Sequence, residues 1–272
     1  MIKLVATDID GTLIPEGTHE FPTELTRQIE ELKKLGILFV AASGRQYKSM
    51  KKLFSPTTHN VVFVSGNGSY VKCRDREILE CVMDRTYLSS LIQRLRELEC
   101  DGYYFVAESK SMAYIETDCE DFYQMLVENY HYEVTKVKDI LEECNGILKI
   151  SFYHKDKIEA VSQNLQEEWS DKINVLRSGK QWIDFMPYGV DKGNAIKMIQ
   201  EILGVTREET MAFGDNANDV AMLQNAKYSF AVETAAETVK DAAKYQTFSP
   251  KEKGVLSTIQ QVIEQGGNFN VR

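Results

Sequence analysis

No apolar run in the sequence approaches the ~20 residues that a membrane-spanning helix requires. Its opening, Met1-Ile2-Lys3-Leu4, lacks a charged region followed by an apolar core and a cleavage site, so a cytoplasmic protein is expected. Basic residues are in deficit: 32 Lys and Arg stand against 41 Asp and Glu, a formal charge of −9. Neither nucleic acid nor an anionic membrane is then an expected partner, because both demand a basic surface. Any anionic substrate has to be held by a few local cations. Cysteine is sparse and unpatterned: Cys73, Cys81, Cys100, Cys119 and Cys144 are odd in number and contain no C-x-x-C pair. That speaks for free thiols in a reducing compartment and against a disulfide framework or a zinc site. His19, His59, His131 and His154 form no cluster at metal-ligand spacing. Internal repeats and low-complexity tracts are missing as well. What remains is an ordinary globular composition, 43% hydrophobic and 27% charged over 272 residues, enough for one large or two modest domains.

Within that composition the amino-terminal stretch stands out. An apolar run from Ile2 ends in Asp8-Ile9-Asp10-Gly11-Thr12. Side chains two apart on an extended strand point the same way, so Asp8 and Asp10 are expected to face one volume beyond the strand's carboxyl end. Two carboxylates there repel unless a cation or proton sits between them, which suits half of a metal site. A turn with an Asx hydrogen bond and a helix cap explains the same residues.

Farther along, Leu25, Ile29, Leu32 and Leu35 recur at helical spacing up to Gly36. The continuous apolar runs Ile37 to Ala42 and Val61 to Val64 suit strands buried on both faces of a parallel sheet. From about Val71 the strands alternate polar with apolar residues, and the middle of the chain reads as an antiparallel sheet with helices on one face. After Pro187 the first texture returns, with a helix at 192–203, a strand at 210–213 and further alternation to a last helix at 255–265. The expected fold is α/β, a doubly wound parallel-sheet core with an inserted α+β domain. Residues 1–80 and 187–272 form the core, and 81–186 form the insert.

Four polar segments fall on one edge of the expected core sheet: Asp8 to Thr12, Ser43-Gly44-Arg45, Asp191-Lys192-Gly193 and Gly214 to Asp219. Any one of them reads as turn and cap chemistry; all four together are harder to explain that way. They resemble the four ordered motifs of the haloacid dehalogenase superfamily: D-x-D-G-T, a Ser after the second strand, a Lys, and G-D-x-x-N-D. The insert is similar to the C2B cap of the Cof-type phosphatases, and Ser65-Gly66-Asn67-Gly68 also fits that subfamily.

The resemblance implies a Mg2+-dependent phosphatase that hydrolyses a small phosphorylated metabolite, with a sugar phosphate favoured, through an aspartyl phosphate. Asp8 would be the nucleophile and Asp10 the acid/base, the latter entering protonated and raised by burial beside other carboxylates. Asp8, Asp10 through its backbone carbonyl, Asp215 and Asp219 would make up the metal site, with Asp219 orienting a metal-bound water. Ile9, Ser43, Gly44, Lys192 and Asn218 match the family's phosphate holders. A solvated lysine at a helix start is an unattractive reading of Lys192, because that end of the helix dipole disfavours cations. Arg45 is divided between packing and substrate contact. Asn67, Asp184, Arg74, Arg76 and Trp182 are specificity candidates, while Tyr103-Tyr104-Phe105 and Tyr114 are read as packing. The alternatives are a sugar phosphomutase and a noncatalytic phosphoacceptor or binding module; an acid/base at Asp10 argues against the last.

Overall fold

The continuous apolar runs become the central strands of a sheet. In the computed structural model, which describes every residue except His19, Pro56, Cys100, Asp101, Val271 and Arg272, β1 (Leu4–Thr7), β2 (Leu38–Ala42) and β3 (Val61–Ser65) pair in parallel. All of their residues are buried except the half-buried Leu38. The hairpin β4 (Tyr70–Cys73) and β5 (Arg76–Glu80) extends this sheet as an antiparallel edge.

After the insert, three further strands join on the other side of β1. To name them in chain order, the insert holds β6 (Tyr104–Ser109), β7 (Ala113–Ile115), β8 (Val134–Lys136), β9 (Ile147–Tyr153), β10 (Asn174–Arg177) and β11 (Trp182–Met186). The core resumes with β12 (Thr210–Gly214), β13 (Tyr228–Val232) and β14 (Tyr245–Thr247). The core sheet then runs β14-β13-β12-β1-β2-β3-β4-β5, parallel from β14 to β3. The first helix, Thr23–Lys34, buries Leu25, Ile29 and Leu32 against that sheet and ends ahead of Gly36, whose φ of 74° suits glycine.

A second sheet, β10-β11-β9-β6-β7-β8, stands apart from the first. Its pairs are antiparallel except β7 with β8, which run parallel, a departure from the all-antiparallel expectation. The helix after β7 is the cause: it carries the chain back to the same end before β8 starts. One face of the sheet, with Phe105, Ala107, Ile150, Phe152, Ile183 and Phe185, packs on the helices Arg85–Leu98 and Ile158–Trp169. Helical cover is not confined to that face, because Phe122 and Leu126 lie with Val106, Tyr153 and Trp182 on the other side. The expected helix over 120–130 is α-helical only at Glu120–Gln124 and then widens into a π-helical turn at Met125–Asn129. Strands β8 and β14 and the short helix Ile140–Glu143 carry too few periodic residues to be visible in the sequence.

Cys73, Cys81, Cys119 and Cys144 are unpaired; Cys100, like His19, lies outside the described residues. Among the described residues no helix is long and apolar enough to cross a membrane.

Candidate active site

Because β1, β2, β3 and β12 are parallel neighbours, the loops that follow them share the sheet's carboxyl edge, where open α/β sheets bind ligands. Asp8 follows β1, Ser43-Gly44-Arg45 follows β2, Gly66-Asn67-Gly68 follows β3, and Asp215 to Asp219 follow β12. Two glycines bring these loops into contact. Gly11 has φ of 82°, and a Cβ there would stand 2.6 Å from Asp215 Oδ2. Gly68 has φ of 105°, and its Cβ would stand 2.4 Å from the Asp191 carbonyl oxygen. The loops can close on each other only where no side chain intervenes.

The fourth segment supplies the cation. Asp191 caps the helix Lys192–Leu203, its carboxylate accepting from the Asn194 amide at 2.7 Å. Turn and cap chemistry is thus present, but it does not account for the next residue. Lys192 has no exposed surface and donates to Asp8 Oδ1 at 2.5 Å and to Asp219 Oδ1 at 2.7 Å. Burial alone would lower the Lys192 ammonium; the charges of Asp219 and then Asp8 outweigh it and raise it.

Around that ammonium, carboxylate oxygens of Asp8, Asp215 and Asp219 all lie within 4.8 Å of one another. Burial pushes Asp8 well above the usual carboxylate range, more than Lys192 pulls it back, and the charges of Asp219, Asp215 and Asp10 add to the rise. Asp215 is pushed up to about 7 by burial and by Asp219, against the hydrogen bond it receives from the Thr12 hydroxyl at 2.6 Å. Crowded carboxylates that resist ionisation are what a bound divalent cation would relieve. Asp219 has little left to offer an ion: its Oδ1 is on Lys192, and its Oδ2 accepts from the amides of Asp215 at 3.0 Å and Asn216 at 3.1 Å. Its evident work is to fix the loop.

Asp10 departs from expectation. Its side chain is 30% exposed and is gripped by Arg45, with Nε at 2.7 Å from Oδ2 and Nη2 at 2.5 Å from Oδ1. It is not buried among the other carboxylates. The reason is that β1 ends at Thr7, so strand alternation no longer governs the two aspartates; the chain curls, with Gly11 N donating to Ile14 O and Leu13 N to Ile9 O. Arg45 itself is buried.

The remaining candidates sort by position. Ile9 is buried, its carbonyl held by Leu13 and Ile14. Ser43 Oγ accepts from the Arg45 amide at 3.1 Å, and Gly44 O accepts from Lys149 Nζ at 2.8 Å. Asn218 Nδ2 donates to Asn67 Oδ1 at 3.0 Å. Asn67, fully buried in the left-handed region at φ 54°, donates in turn to Asp184 Oδ2 at 2.6 Å across the gap between the two sheets. By contrast Arg74 and Arg76 are exposed on the edge hairpin, Arg74 on the His59 carbonyl. Trp182 packs with Tyr130 and Tyr153 and donates to Tyr130 Oη at 2.9 Å.

Beside Asp184, already a specificity candidate, the second sheet contributes Glu108, Lys149 and Ser151, which the sequence did not single out. Glu108, Lys149, Ser151 and Asp184 stand on adjacent strands, on the face turned to the core, and all are buried. Lys149 Nζ lies 2.9 Å from Glu108 and 3.4 Å from Asp184, while Ser151 and Ser178 each donate to Asp184 at 2.6 Å. Polar residues alternating along Ile147-Leu148-Lys149-Ile150-Ser151 read as a solvated face, and only the approach of the core buries them.

A parallel α/β sheet whose carboxyl edge gathers these acids about one lysine, beneath a second sheet, is the architecture of the haloacid dehalogenase-like hydrolases, and the model of that family matches residues 5–259. The chain belongs to this family, and within it to the Cof-like phosphatases, as a phosphoric monoester hydrolase. The 5-amino-6-(5-phospho-D-ribitylamino)uracil phosphatase YbjI of Escherichia coli K12 is 29% identical over 270 residues, 99% of each chain. A haloacid dehalogenase-like hydrolase from Bacteroides thetaiotaomicron superposes with a TM-score of 0.84 at 25% identity, over 96% of this chain and 100% of its own. The subclass IIB sugar phosphatase BT4131 shares the fold with a TM-score of 0.80 at 21% identity, over 96% of this chain and 98% of its own.

Proposed function

We propose that the enzyme hydrolyses a small phosphorylated metabolite through a phosphoenzyme on Asp8, with Mg2+ as cofactor. The observation that carries this reading is Lys192, wholly buried with its ammonium between Asp8 and Asp219 and with Asp215 alongside. A lysine with no exposed surface at the positive end of a helix is costly. The position makes sense where an anion must approach a carboxylate: Lys192 holds Asp8 Oδ1 in place and offsets the repulsion between Asp8 and a phosphate dianion.

In the first displacement an Asp8 oxygen bonds to phosphorus as the ester bond breaks, and Asp10 gives its proton to the leaving alkoxide. In the second, water bonds to phosphorus, Asp10 takes a proton from it, and the Asp8–phosphorus bond breaks to release phosphate. Arg45 pairs with the ionised form of Asp10 and fixes its direction; for the first displacement Asp10 must take up a proton and loosen from that fork. Ser43, the Ile9 and Gly44 amides and Asn218 would hold the phosphoryl oxygens. Asp8 and Asp215, with the Asp10 carbonyl, would hold the ion, and Asp219 would keep the loop in register. When bound, Mg2+ supplies positive charge to the transferring phosphoryl oxygens.

Residues 81–186 serve in this reading as a lid over the core of 1–80 and 187–272, excluding water and large phosphoproteins. The names of the relatives, a phosphoribitylaminouracil phosphatase and a sugar phosphatase, support a small polyhydroxylated substrate. The test is Asp8→Asn. It is expected to abolish p-nitrophenyl phosphate hydrolysis while far-UV circular dichroism is unchanged; rates near wild type would refute the mechanism. Phosphate release without a bisphosphate species distinguishes hydrolysis from mutase chemistry.

A further inference from the structure

Among the described residues the buried Lys and Arg side chains are Arg45, Lys149 and Lys192; each is ion-paired, and Arg45 Nη1 has no hydrogen-bond partner. Lys192 holds Asp8 and Asp219, Arg45 holds both oxygens of Asp10, and Lys149 holds Glu108 and Asp184. A phosphoryl group arriving at Asp8 meets Lys192. A second anionic group that reaches the second sheet meets Lys149, whose ammonium is already held by Glu108 and Asp184. Facing it on the inner wall of the second sheet are two carboxylates, Glu108 and Asp184, that share the single ammonium of Lys149.

A separate observation points to what that wall accepts. Between the two sheets lies a cavity of about 10 Å3, lined by Gln46, Ser65, Glu108 and Lys149 among others, room for one hydroxyl or water oxygen. Gln46 is 2% exposed, and neither its Oε1 nor its Nε2 has a hydrogen-bond partner. A buried amide unmatched as both donor and acceptor costs free energy until something fills both roles, and a hydroxyl does. Gln46 directly follows the Ser43-Gly44-Arg45 loop, and Lys149 donates to Gly44 O, so the cavity adjoins the loop assigned to the phosphate.

We propose that the enzyme selects phosphomonoesters whose leaving group is uncharged or cationic and bears hydroxyls, Gln46 taking a hydroxyl while Glu108 and Asp184 repel carboxylates and second phosphates. This selection rests on the phosphatase reading above. It also disfavours a bisphosphate, and with it mutase chemistry.

The test uses the full-length enzyme with Mg2+ and measures phosphate release from matched pairs. Sorbitol phosphate is set against its carboxylate counterpart phosphogluconate, and glucose phosphate against glucosamine phosphate, with the phosphate on the terminal carbon in each. The expected kcat/KM for phosphogluconate is at least about tenfold below that for sorbitol phosphate, since juxtaposed like charges are costly. Glucosamine phosphate is expected to be turned over at least as well as glucose phosphate. Glu108→Gln and Asp184→Asn should each narrow the sorbitol-to-gluconate ratio. Equal turnover of phosphogluconate and sorbitol phosphate by the wild type overturns the proposal, and that comparison stands even if neither variant folds; an unchanged ratio in both folded variants overturns it too. Absence of phosphate release from every compound, p-nitrophenyl phosphate included, overturns the phosphatase reading itself and the selection with it.

Discussion

Lys192→Met removes a charge while keeping much of the side chain's volume, so its effect isolates electrostatics. In the wild type the ammonium is fully buried and makes two charged hydrogen bonds, to Asp8 and Asp219. Its loss leaves two buried carboxylates facing each other with Asp215 close by, and deleting one partner of a buried ion pair costs about 3–5 kcal/mol. The full cost appears only where those carboxylates stay ionised. Asp8 already lies well above the usual carboxylate range, and without Lys192 it loses the nearest charge drawing it down. A carboxyl raised in the folded state contributes stability in full below its unfolded value of about 4, and that contribution is lost as pH rises through the folded value. Lys192 is itself raised, and a raised lysine keeps its contribution throughout this range. The variant should therefore be most destabilised relative to wild type near pH 8 and much less so near pH 5, as linkage requires. Urea unfolding followed by far-UV circular dichroism at both pH values measures this. A penalty below about 1 kcal/mol, or one equal at the two pH values, would refute the view that Lys192 holds apart two buried negative charges.

Three further outcomes follow from the same geometry. Mg2+ added to EDTA-treated enzyme should raise Tm more at about pH 8 than at about pH 6, because Asp215, pushed up to about 7, must lose its proton to take a metal; an equal rise at both values by scanning fluorimetry contradicts the assignment. Gly193→Ala would set a Cβ 2.5 Å from Ala221 Cβ and 2.6 Å from its carbonyl carbon. This should cost about 1–3 kcal/mol of stability by overpacking, measured in urea, and an unchanged midpoint would show that the helix Lys192–Leu203 has slack against the helix Val220–Gln224. Arg45→Lys keeps the charge but not the two-pronged grip on Asp10, and should lower kcat/KM about tenfold or more with the fold unchanged; wild-type turnover would mean that the grip does not matter.

How much of this was legible in the sequence follows from how local each determinant is. The strands of the core could be read because burial on both faces leaves unbroken apolar runs, as at Leu38–Ala42 and Val61–Ser65. Once those strands are parallel, the residue after each one falls on a common edge, so the gathering of Asp8, Ser43 and Asp215 needed no knowledge of side-chain packing. Lys192 was legible for a different reason: a lysine at a helix start is electrostatically out of place unless acids surround it. The expected burial of Asp10 beside the other carboxylates was wrong because strand alternation was carried past the point where the strand ends, and the Arg45 fork, set by a loop after a different strand, holds the side chain instead.

The polar wall of the insert was hidden by the same logic that exposed the core. Alternation in β6 and β9 says which residues share a face, not what that face meets, and a water-facing strand carries the same Glu108, Lys149 and Ser151 as one pressed against a second domain. What separates the two cases is Asn67, a residue whose left-handed backbone lets its buried amide receive Asn218 on the core side and reach Asp184 on the other. That bridge joins positions 151 and 117 residues apart, and no local pattern encodes it. It also means that Asp184 is buried while the two sheets are together: with Ser151, Ser178, Lys149 and Asn67 all directed at it, loss of the Asn67 amide leaves a buried carboxylate short of a donor. The contact between insert and core is therefore polar, directional and mutually dependent, which suits the lid proposed above: such a surface separates without exposing an apolar face and re-forms in a single register.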